Sequence, residues 1–187
     1  MESGSGEVAD GNSNDEVILV VGDSLSAAYN MAVEDGWVAL LEQRLDQHGH
    51  DYRIVNSSQS GATSRAGLAM LRRALAVQDP AIVIIELGAN DGLQGLPLVQ
   101  LRQNLATMIE LSQAQGAAVV LTAIRIPPNY GQRYTEDFRA IYRELAKKYD
   151  TALVPVFLEK VALNPRLMQP DRVHPNEQAQ PILLDVV

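Results

Sequence analysis

Apolar positions along the chain alternate between short dense runs and positions three or four residues apart. The dense runs predict strands covered on both faces of a sheet, and they lie at residues 17–21, 52–55, 81–87, 117–124 and 151–157. The spaced positions between them predict amphipathic helices, and a last helix is predicted from Glu177 onward. This alternation predicts an α/β fold, a three-layer α/β/α sandwich around a five-stranded parallel sheet.

The chain of 187 residues is the length of a single domain. Residues 1–15 are rich in Gly, Ser, Asn and Asp, a composition typical of a flexible leader or of residues added to a natural chain. We therefore expect one domain over residues 16–187.

Composition narrows the classes of function. The formal net charge of -8 and the pI of about 4.8 argue against nucleic acid or an anionic membrane surface as the main partner. The absence of cysteine excludes disulfides, thiolate catalysis and cysteine-based zinc sites. No apolar run reaches the roughly 18 residues of a membrane helix, and no spacing of metal ligands is visible, so neither a metal nor another cofactor is expected.

A serine stands where the first predicted strand gives way to a helix. Residues 22–26 have the sequence GDSLS, and Ser24 would lie near the positive end of a helix dipole. Ser24 is a candidate nucleophile if a base takes its proton, and the alternative is an ordinary helix N-cap. Ser26 stands where the G-x-S-x-G elbow requires glycine, so that motif is excluded.

The candidate base follows from elimination among three histidines. His48 and His50 lie between a helix and the strand that follows it, at the opposite end of the sheet from Ser24. His174 follows the last predicted strand, and Asp171 precedes it by three residues. A carboxylate so close can accept the imidazole Nδ1–H and leave Nε2 facing the serine. The alternatives are a loop histidine and an ordinary turn aspartate.

Two further loops offer hydrogen-bond donors at the same edge of the sheet. A developing oxyanion requires such donors, and the candidates are the N–H groups of Ser24 and Gly61 and the side-chain amide of Asn90. Gly61 could instead be a plain turn glycine, and Asn90 a turn or cap residue. Asp23 and Asp91 are expected to brace these loops, and Glu86 is expected to be a partnered structural carboxylate.

These blocks resemble those of the SGNH hydrolases, also called the GDSL family, whose four letters fall on Ser24, Gly61, Asn90 and His174. Residues 86–93 (ELGANDGL), 125–131 (RIPPNYG) and 168–171 (MQPD) are similar to the bacterial thioesterase I, lysophospholipase L1 and arylesterase branch. The resemblance implies a flavodoxin-like SGNH hydrolase fold. It also implies hydrolysis of acyl-CoA, aryl and alkyl esters and lysophospholipids through an acyl-enzyme.

The same resemblance implies where substrate binds and what accompanies it. Leu93, Leu96, Ile126 and Pro127 would line an acyl groove. The branch implies a monomer that takes a small-molecule ester or thioester, without stable membrane insertion. Such a protein would be periplasmic or secreted if a signal peptide has been removed, and cytoplasmic otherwise.

The chain departs from the family pattern at Gln59, Ala62, Ala89 and Arg172. These positions support loops or line the pocket, so they bear on rate and substrate preference. One alternative keeps the chemistry and changes the substrate, as in a carbohydrate acetylesterase, although the apolar 92–97 loop argues against it. A second alternative is a flavodoxin-like binding domain without catalysis.

Overall fold

The structure is a computed structural model that describes residues 16–187. The flexible leader predicted for residues 1–15 lies outside the described residues. The described part contains one five-stranded sheet, in which every neighbouring pair of strands is parallel. The strands are β1 (Glu16–Gly22), β2 (Tyr52–Asn56), β3 (Pro80–Glu86), β4 (Ala118–Thr122) and β5 (Ala152–Val154).

Helices cover both faces of this sheet and complete the predicted three-layer fold. In one layer α2 packs on α4 and α4 on α5, and in the other α1 packs on α6. This arrangement confirms the fold predicted from the alternation of apolar patterns. The helices are α1 (Trp37–Gln47), α2 (Ser64–Leu75), α3 (Ala89–Leu93), α4 (Leu98–Ala114), α5 (Gln132–Tyr149) and α6 (Gln180–Leu184).

The ends of several elements differ from the sequence prediction. β4 and β5 are shorter than the apolar runs that predicted them, because the last residues of both runs lie in loops. The short helix α3 was not predicted, since its five residues are too few for a helical pattern to show. The last helix begins with a 3-10 turn over Glu177–Ala179 before α6.

The order of the strands determines where a ligand can bind. The sheet runs β2-β1-β3-β4-β5, so β1 lies between β2 and β3. The chain leaves β1 toward one edge and returns to β3 on the other side, and ligands bind beyond the carboxyl ends of the strands at such a switch point. Residues 17–22 are all buried, which fixes the position of the loop that follows β1.

The segment after β5 brings a distant part of the chain to this point. β5 forms the edge of the sheet, and β3 and β4 lie between it and β1. The chain then packs against the first turn of α1, where Phe157 meets Trp37 edge-on with ring centroids 5.6 Å apart. Trp37 Nε1 donates to the Leu25 carbonyl at 3.1 Å, and its backbone N–H donates to Gln180 Oε1 at 3.1 Å. Trp37 therefore joins the loop after β1 to the C-terminal segment.

Candidate active site

Ser24, His174 and Asp171 form one continuous chain of hydrogen bonds. His174 Nε2 lies 3.0 Å from Ser24 Oγ, and His174 Nδ1 lies 2.7 Å from Asp171 Oδ2. Ser24 follows β1 directly, whereas Asp171 and His174 arrive on the segment that returns from β5. The structure thus brings together the three side chains that the sequence suggested as nucleophile, base and orienting acid.

Asp171 is held in its ionised form by the loop it belongs to. Its Oδ1 accepts the backbone N–H groups of Val173 at 2.9 Å and His174 at 3.0 Å, while Oδ2 faces the imidazole. The hydrogen bond from the His174 ring, with those two N–H groups, lowers the pKa of Asp171 to about 2. The side chain of Asp171 is 40% exposed and that of His174 20%, so the triad lies at the mouth of the site.

Gln169 fastens the loop of the acid and base to the loop after the serine. Its Nε2 donates to the carbonyls of Tyr29 at 2.9 Å and Pro175 at 3.0 Å, and its Oε1 accepts from Asn30 Nδ2 at 3.3 Å. The Tyr29 ring also lies over His174, with centroids 4.3 Å apart. Sequence reasoning missed both roles, because neither residue carries a reactive group. The only signal was the place of Gln169 in the MQPD block.

The backbone N–H groups of Ser24 and Gly61 are available as donors. Among residues 16–187 neither donates to another group. Gly61 has φ of +77°, a conformation that favours glycine, and a Cβ built there would meet no atom within 4 Å. The space in front of this backbone is therefore open to a ligand.

The Asn90 amide connects the two loops that carry these N–H groups. Its Nδ2 donates to Asp23 Oδ2 at 3.2 Å and to the Ala62 carbonyl at 3.0 Å. Asp23 precedes Ser24 and Ala62 follows Gly61, so the amide lies where the sequence placed an oxyanion donor. Both hydrogens of the amide have internal acceptors in this state, so donation to a ligand would require one of these bonds to be shared.

Two buried carboxyl groups lie beneath the serine turn. Asp23 and Glu86 are both fully buried, and Asp23 Oδ1 accepts the Leu25 N–H at 3.0 Å. Glu86 Oε2 accepts from Ser26 Oγ at 2.7 Å and from the Asp23 N–H at 3.4 Å. Burial raises the pKa of Asp23 to about 6 and raises the pKa of Glu86 well above its usual range. The pair braces the turn, in agreement with the bracing role suggested for Asp23 and with the partnered structural carboxylate expected at Glu86.

Asp91 connects α3, which carries Asn90, to the start of α2. It is buried and accepts the backbone N–H of Ser64 at 2.7 Å, together with the Ser64 hydroxyl. Asn104 of α4 donates in turn to Ser64 Oγ at 2.9 Å. These bonds agree with the bracing role that the sequence suggested for Asp91. They also fix Asn90 relative to the helices behind it.

The four apolar residues suggested for an acyl groove lie in two environments. Leu93 is 41% exposed, Leu96 is half-buried and Pro127 is exposed, whereas Ile126 is buried. A Cβ added to Gly92 would lie 2.4 Å from Ile126 Cγ2, so Ile126 packs directly beneath the loop of Leu93 and Leu96. Ile126 therefore supports this loop from below, and Leu93 presents apolar surface above it.

Other candidate features have ordinary explanations. His48 and His50 are exposed, before β2 and away from the carboxyl ends of the strands, as expected. Within residues 16–187, no group of three or more His, Cys, Asp or Glu side chains is arranged to hold a metal ion. In the same part of the chain, no helix combines the length and apolar character needed to cross a membrane.

Comparisons with known proteins give a consistent result. The model of the GDSL-like Lipase/Acylhydrolase family matches residues 20–181. The chain is 52% identical over 172 residues to Esterase TesA of Pseudomonas aeruginosa, which covers 92% of this chain and 86% of that protein. It is 45% identical over 170 residues to Thioesterase 1/protease 1/lysophospholipase L1 of Escherichia coli, covering 91% of this chain and 80% of that protein. The crystal structure of TesA aligns with a TM-score of 0.89 at 52% identity, covering 92% of this chain and 96% of that one.

The Gln169 contacts lead to a prediction on stability. Gln169→Ala should lower the free energy of unfolding by about 1–3 kcal/mol, because the carbonyls of Tyr29 and Pro175 lose their donor. Urea unfolding measures this change. Gln113→Ala is the matched control, since Gln113 is exposed and makes one bond, to the Tyr149 carbonyl. Equal losses in the two variants would contradict the role of Gln169 as a fastening residue.

Proposed function

The chain belongs to the GDSL-like lipase/acylhydrolase family, and we propose that it is a serine esterase and thioesterase acting through Ser24, His174 and Asp171. The observation that carries this proposal is the hydrogen-bond chain from Ser24 Oγ through both ring nitrogens of His174 to Asp171, at 3.0 Å and 2.7 Å. A serine used only as a helix cap has no need of an imidazole that is itself oriented by a carboxylate.

The first half of the reaction acylates the serine. Ser24 Oγ attacks the acyl carbonyl carbon while His174 Nε2 takes the hydroxyl proton. The imidazolium carries a positive charge, which the ionised Asp171 stabilises through Nδ1–H. His174 then gives the proton to the leaving oxygen or sulfur, which departs as an alcohol or thiol.

The second half releases the acid. A water molecule takes the place of the leaving group, and His174 Nε2 accepts one of its protons as the oxygen attacks the acyl-serine. Collapse of the intermediate breaks the bond to Ser24 Oγ, and the proton on His174 returns to that oxygen. The products are a carboxylic acid and the free enzyme.

The oxyanion of both steps would accept hydrogen bonds from Ser24 N–H, Gly61 N–H and the Asn90 amide. The two N–H groups have no other acceptor among the described residues, so they cost nothing to redirect. The Asn90 amide is held between the loops of Ser24 and Gly61 by Asp23 and Ala62. Donors fixed before the reaction stabilise the developing charge without reorganisation.

We infer the substrate class from the relatives and from the apolar segment that follows Asn90 in the chain. One relative is named an esterase, and another is named a thioesterase and lysophospholipase. We extend both activities to this chain, with acyl-CoA, aryl and alkyl esters and lysophospholipids as substrates. The acyl chain would lie on the loop of Leu93 and Leu96 and beside Pro127, above the buried Ile126. We further propose that the protein acts as a monomer, without a cofactor, and is exported when a signal peptide precedes the chain.

The nucleophile can be tested by covalent labelling. Ser24→Ala should reduce ester hydrolysis by several powers of ten, because no other group can form the acyl-enzyme. A fluorophosphonate probe should label the wild type once and leave Ser24→Ala unlabelled. Ser112→Ala, which removes a hydroxyl of α4 that donates to the Met108 carbonyl, is the control and should still be labelled. A folded Ser24→Ala variant with near-normal turnover would refute the mechanism, and an unreactive wild type would favour a binding domain.

The acid and base lead to a prediction on pH. Because the pKa of Asp171 is lowered to about 2, this carboxyl stays ionised far below neutral pH and produces no change in activity there. An imidazole that acts as general base must be neutral to take the serine proton, so kcat/KM should rise with pH between about pH 5 and about pH 8. Asp171→Asn should lower kcat by about 10³–10⁴-fold, because the amide favours the wrong tautomer.

Rates on p-nitrophenyl acetate across this range check both statements. Glu159→Gln, which removes an exposed carboxylate paired with Arg125, should leave the profile unchanged. A flat profile in the wild type would argue against His174 as the base.

The acyl surface leads to a prediction on chain length. Leu93→Ala should lower kcat/KM for dodecanoyl relative to acetyl p-nitrophenyl esters by about tenfold, because a long chain loses apolar contact. Leu163→Ala is the control, because Leu163 is 91% exposed and lies in another part of the chain. If Leu93→Ala changes all chain lengths equally, the acyl chain lies elsewhere. A wild type that accepts only acetyl esters would favour the carbohydrate acetylesterase alternative.

A further inference from the structure

The buried pair of Asp23 and Glu86 forms no ion pair with a Lys, Arg or His side chain of residues 16–187. Both residues are fully buried, and every hydrogen-bond partner of Glu86 belongs to the turn after β1. Two ionised carboxylates in this position would repel each other in a medium of low dielectric constant. The pair therefore needs a proton, and the arrangement of donors around it shows which carboxyl holds it.

The two oxygens of Glu86 have different surroundings. Oε2 accepts from the Ser26 hydroxyl at 2.7 Å and from the Asp23 N–H at 3.4 Å. Oε1 is buried and receives no donor from the described residues. An ionised carboxylate would leave Oε1 buried without a partner, which is costly. A protonated Oε1 instead becomes a donor, and the buried Asp23 carboxylate, whose charge acts on Glu86, is an acceptor for it.

Asp23, by contrast, is surrounded by donors. Its Oδ1 accepts the Leu25 N–H at 3.0 Å, and its Oδ2 accepts the Asn90 amide at 3.2 Å. A carboxyl group that accepts several hydrogen bonds is favoured in its ionised form. The pair is therefore arranged as one neutral acid donating to one carboxylate.

We propose that Glu86 is a positioning residue that holds a proton at neutral pH and donates it in a hydrogen bond to Asp23, so that the Asp23 carboxylate keeps the Asn90 amide and the Ser24 turn in place for the oxyanion. The part of this inference that concerns the oxyanion rests on the proposed function. The protonation of Glu86 does not. Gly22 is required for the arrangement, since a Cβ there would lie 2.6 Å from Ser26 Oγ and 2.9 Å from Glu86 Oε2.

The other titratable groups around the pair act in known directions. The charge of His174 favours the ionised form of Asp23, and the charge of Asp91 on α3 opposes it. Tyr142 of α5 is buried, and its own pKa is raised well above its usual value by burial and by these carboxylates, so it stays neutral. Burial and the Asp23 charge raise the pKa of Glu86 well above its usual range, which favours the neutral acid.

Infrared spectroscopy tests the protonation directly. At about pH 8 the exposed carboxyls are ionised, so a carbonyl band of a neutral carboxylic acid should come from Glu86 alone. We expect this band in the wild type and in the control Glu159→Gln, and its loss in Glu86→Gln. A wild-type spectrum without the band, or a band that persists in Glu86→Gln, would overturn the proposal whatever the activity.

Kinetics test the positioning role. Glu86→Gln keeps a neutral donor for Asp23, so its kcat at neutral pH should lie within about threefold of the wild type. Glu86→Ala should lower kcat by about 10–100-fold with little change in KM, and Asn90→Ala by about 10²–10³-fold.

If Glu86→Gln is as impaired as Glu86→Ala, the neutral donor has no positioning role. Should Glu86→Ala fail to fold, Glu86→Gln and the infrared band still decide the matter. A failure of the proposed function would look different, because Ser24→Ala would then remain active while the infrared band was unaffected.

Discussion

The pairing of β1 between β2 and β3 is the constraint on which the rest of the site depends. β1 is buried over residues 17–22, and both of its neighbours run parallel to it. Its end therefore has a fixed place in the middle of the sheet, and Ser24 follows two residues later. The loops after β2 and β3 must end beside it, which brings Gly61 and Asn90 to the same edge. A parallel sheet thus converts three distant segments into neighbours before any polar contact forms.

The turn that carries Ser24 follows a buried strand, so the buried polar groups of this turn must also find hydrogen-bond partners. In the turn after β1, the Asp23 N–H donates to Glu86 and the Leu25 N–H donates to the Asp23 carboxylate, which also accepts from Asn90. A buried polar group without a partner costs about 1–3 kcal/mol, so each of these groups restricts the others. The rigidity that an oxyanion site requires and the hydrogen bonding that burial requires are met by the same side chains.

The sequence predicted those features of the fold and of the site that depend on local sequence pattern. Dense apolar runs predicted the five strands, and the residues after them were the ones that the structure brings together around Ser24. Contacts between side chains with no reactive group could not be predicted, because their partners lie far apart in the chain. Gln169 and Tyr29 are separated by 140 positions, and Ser26 and Glu86 by 60. The path of the chain after β5 could not be predicted for a related reason, since packing against Trp37 determines it rather than local periodicity. The short α3 could not be predicted because five residues are too few for a helical pattern to show.

Asp171 and His174 lie on a loop whose backbone strain is offset by hydrogen bonds within the same loop. Arg172 has φ of +57°, a conformation that costs a residue with a side chain roughly 1–2 kcal/mol. This turn directs the N–H groups of Val173 and His174 at Asp171 Oδ1, and hydrogen bonds to an ionised group contribute about 1.5–3 kcal/mol each. The bonds offset the strain only while Asp171 is ionised, which the lowered pKa ensures down to about 2. A small residue would adopt this turn more easily, yet the exposed arginine is tolerated, because the carboxylate it flanks fixes the conformation.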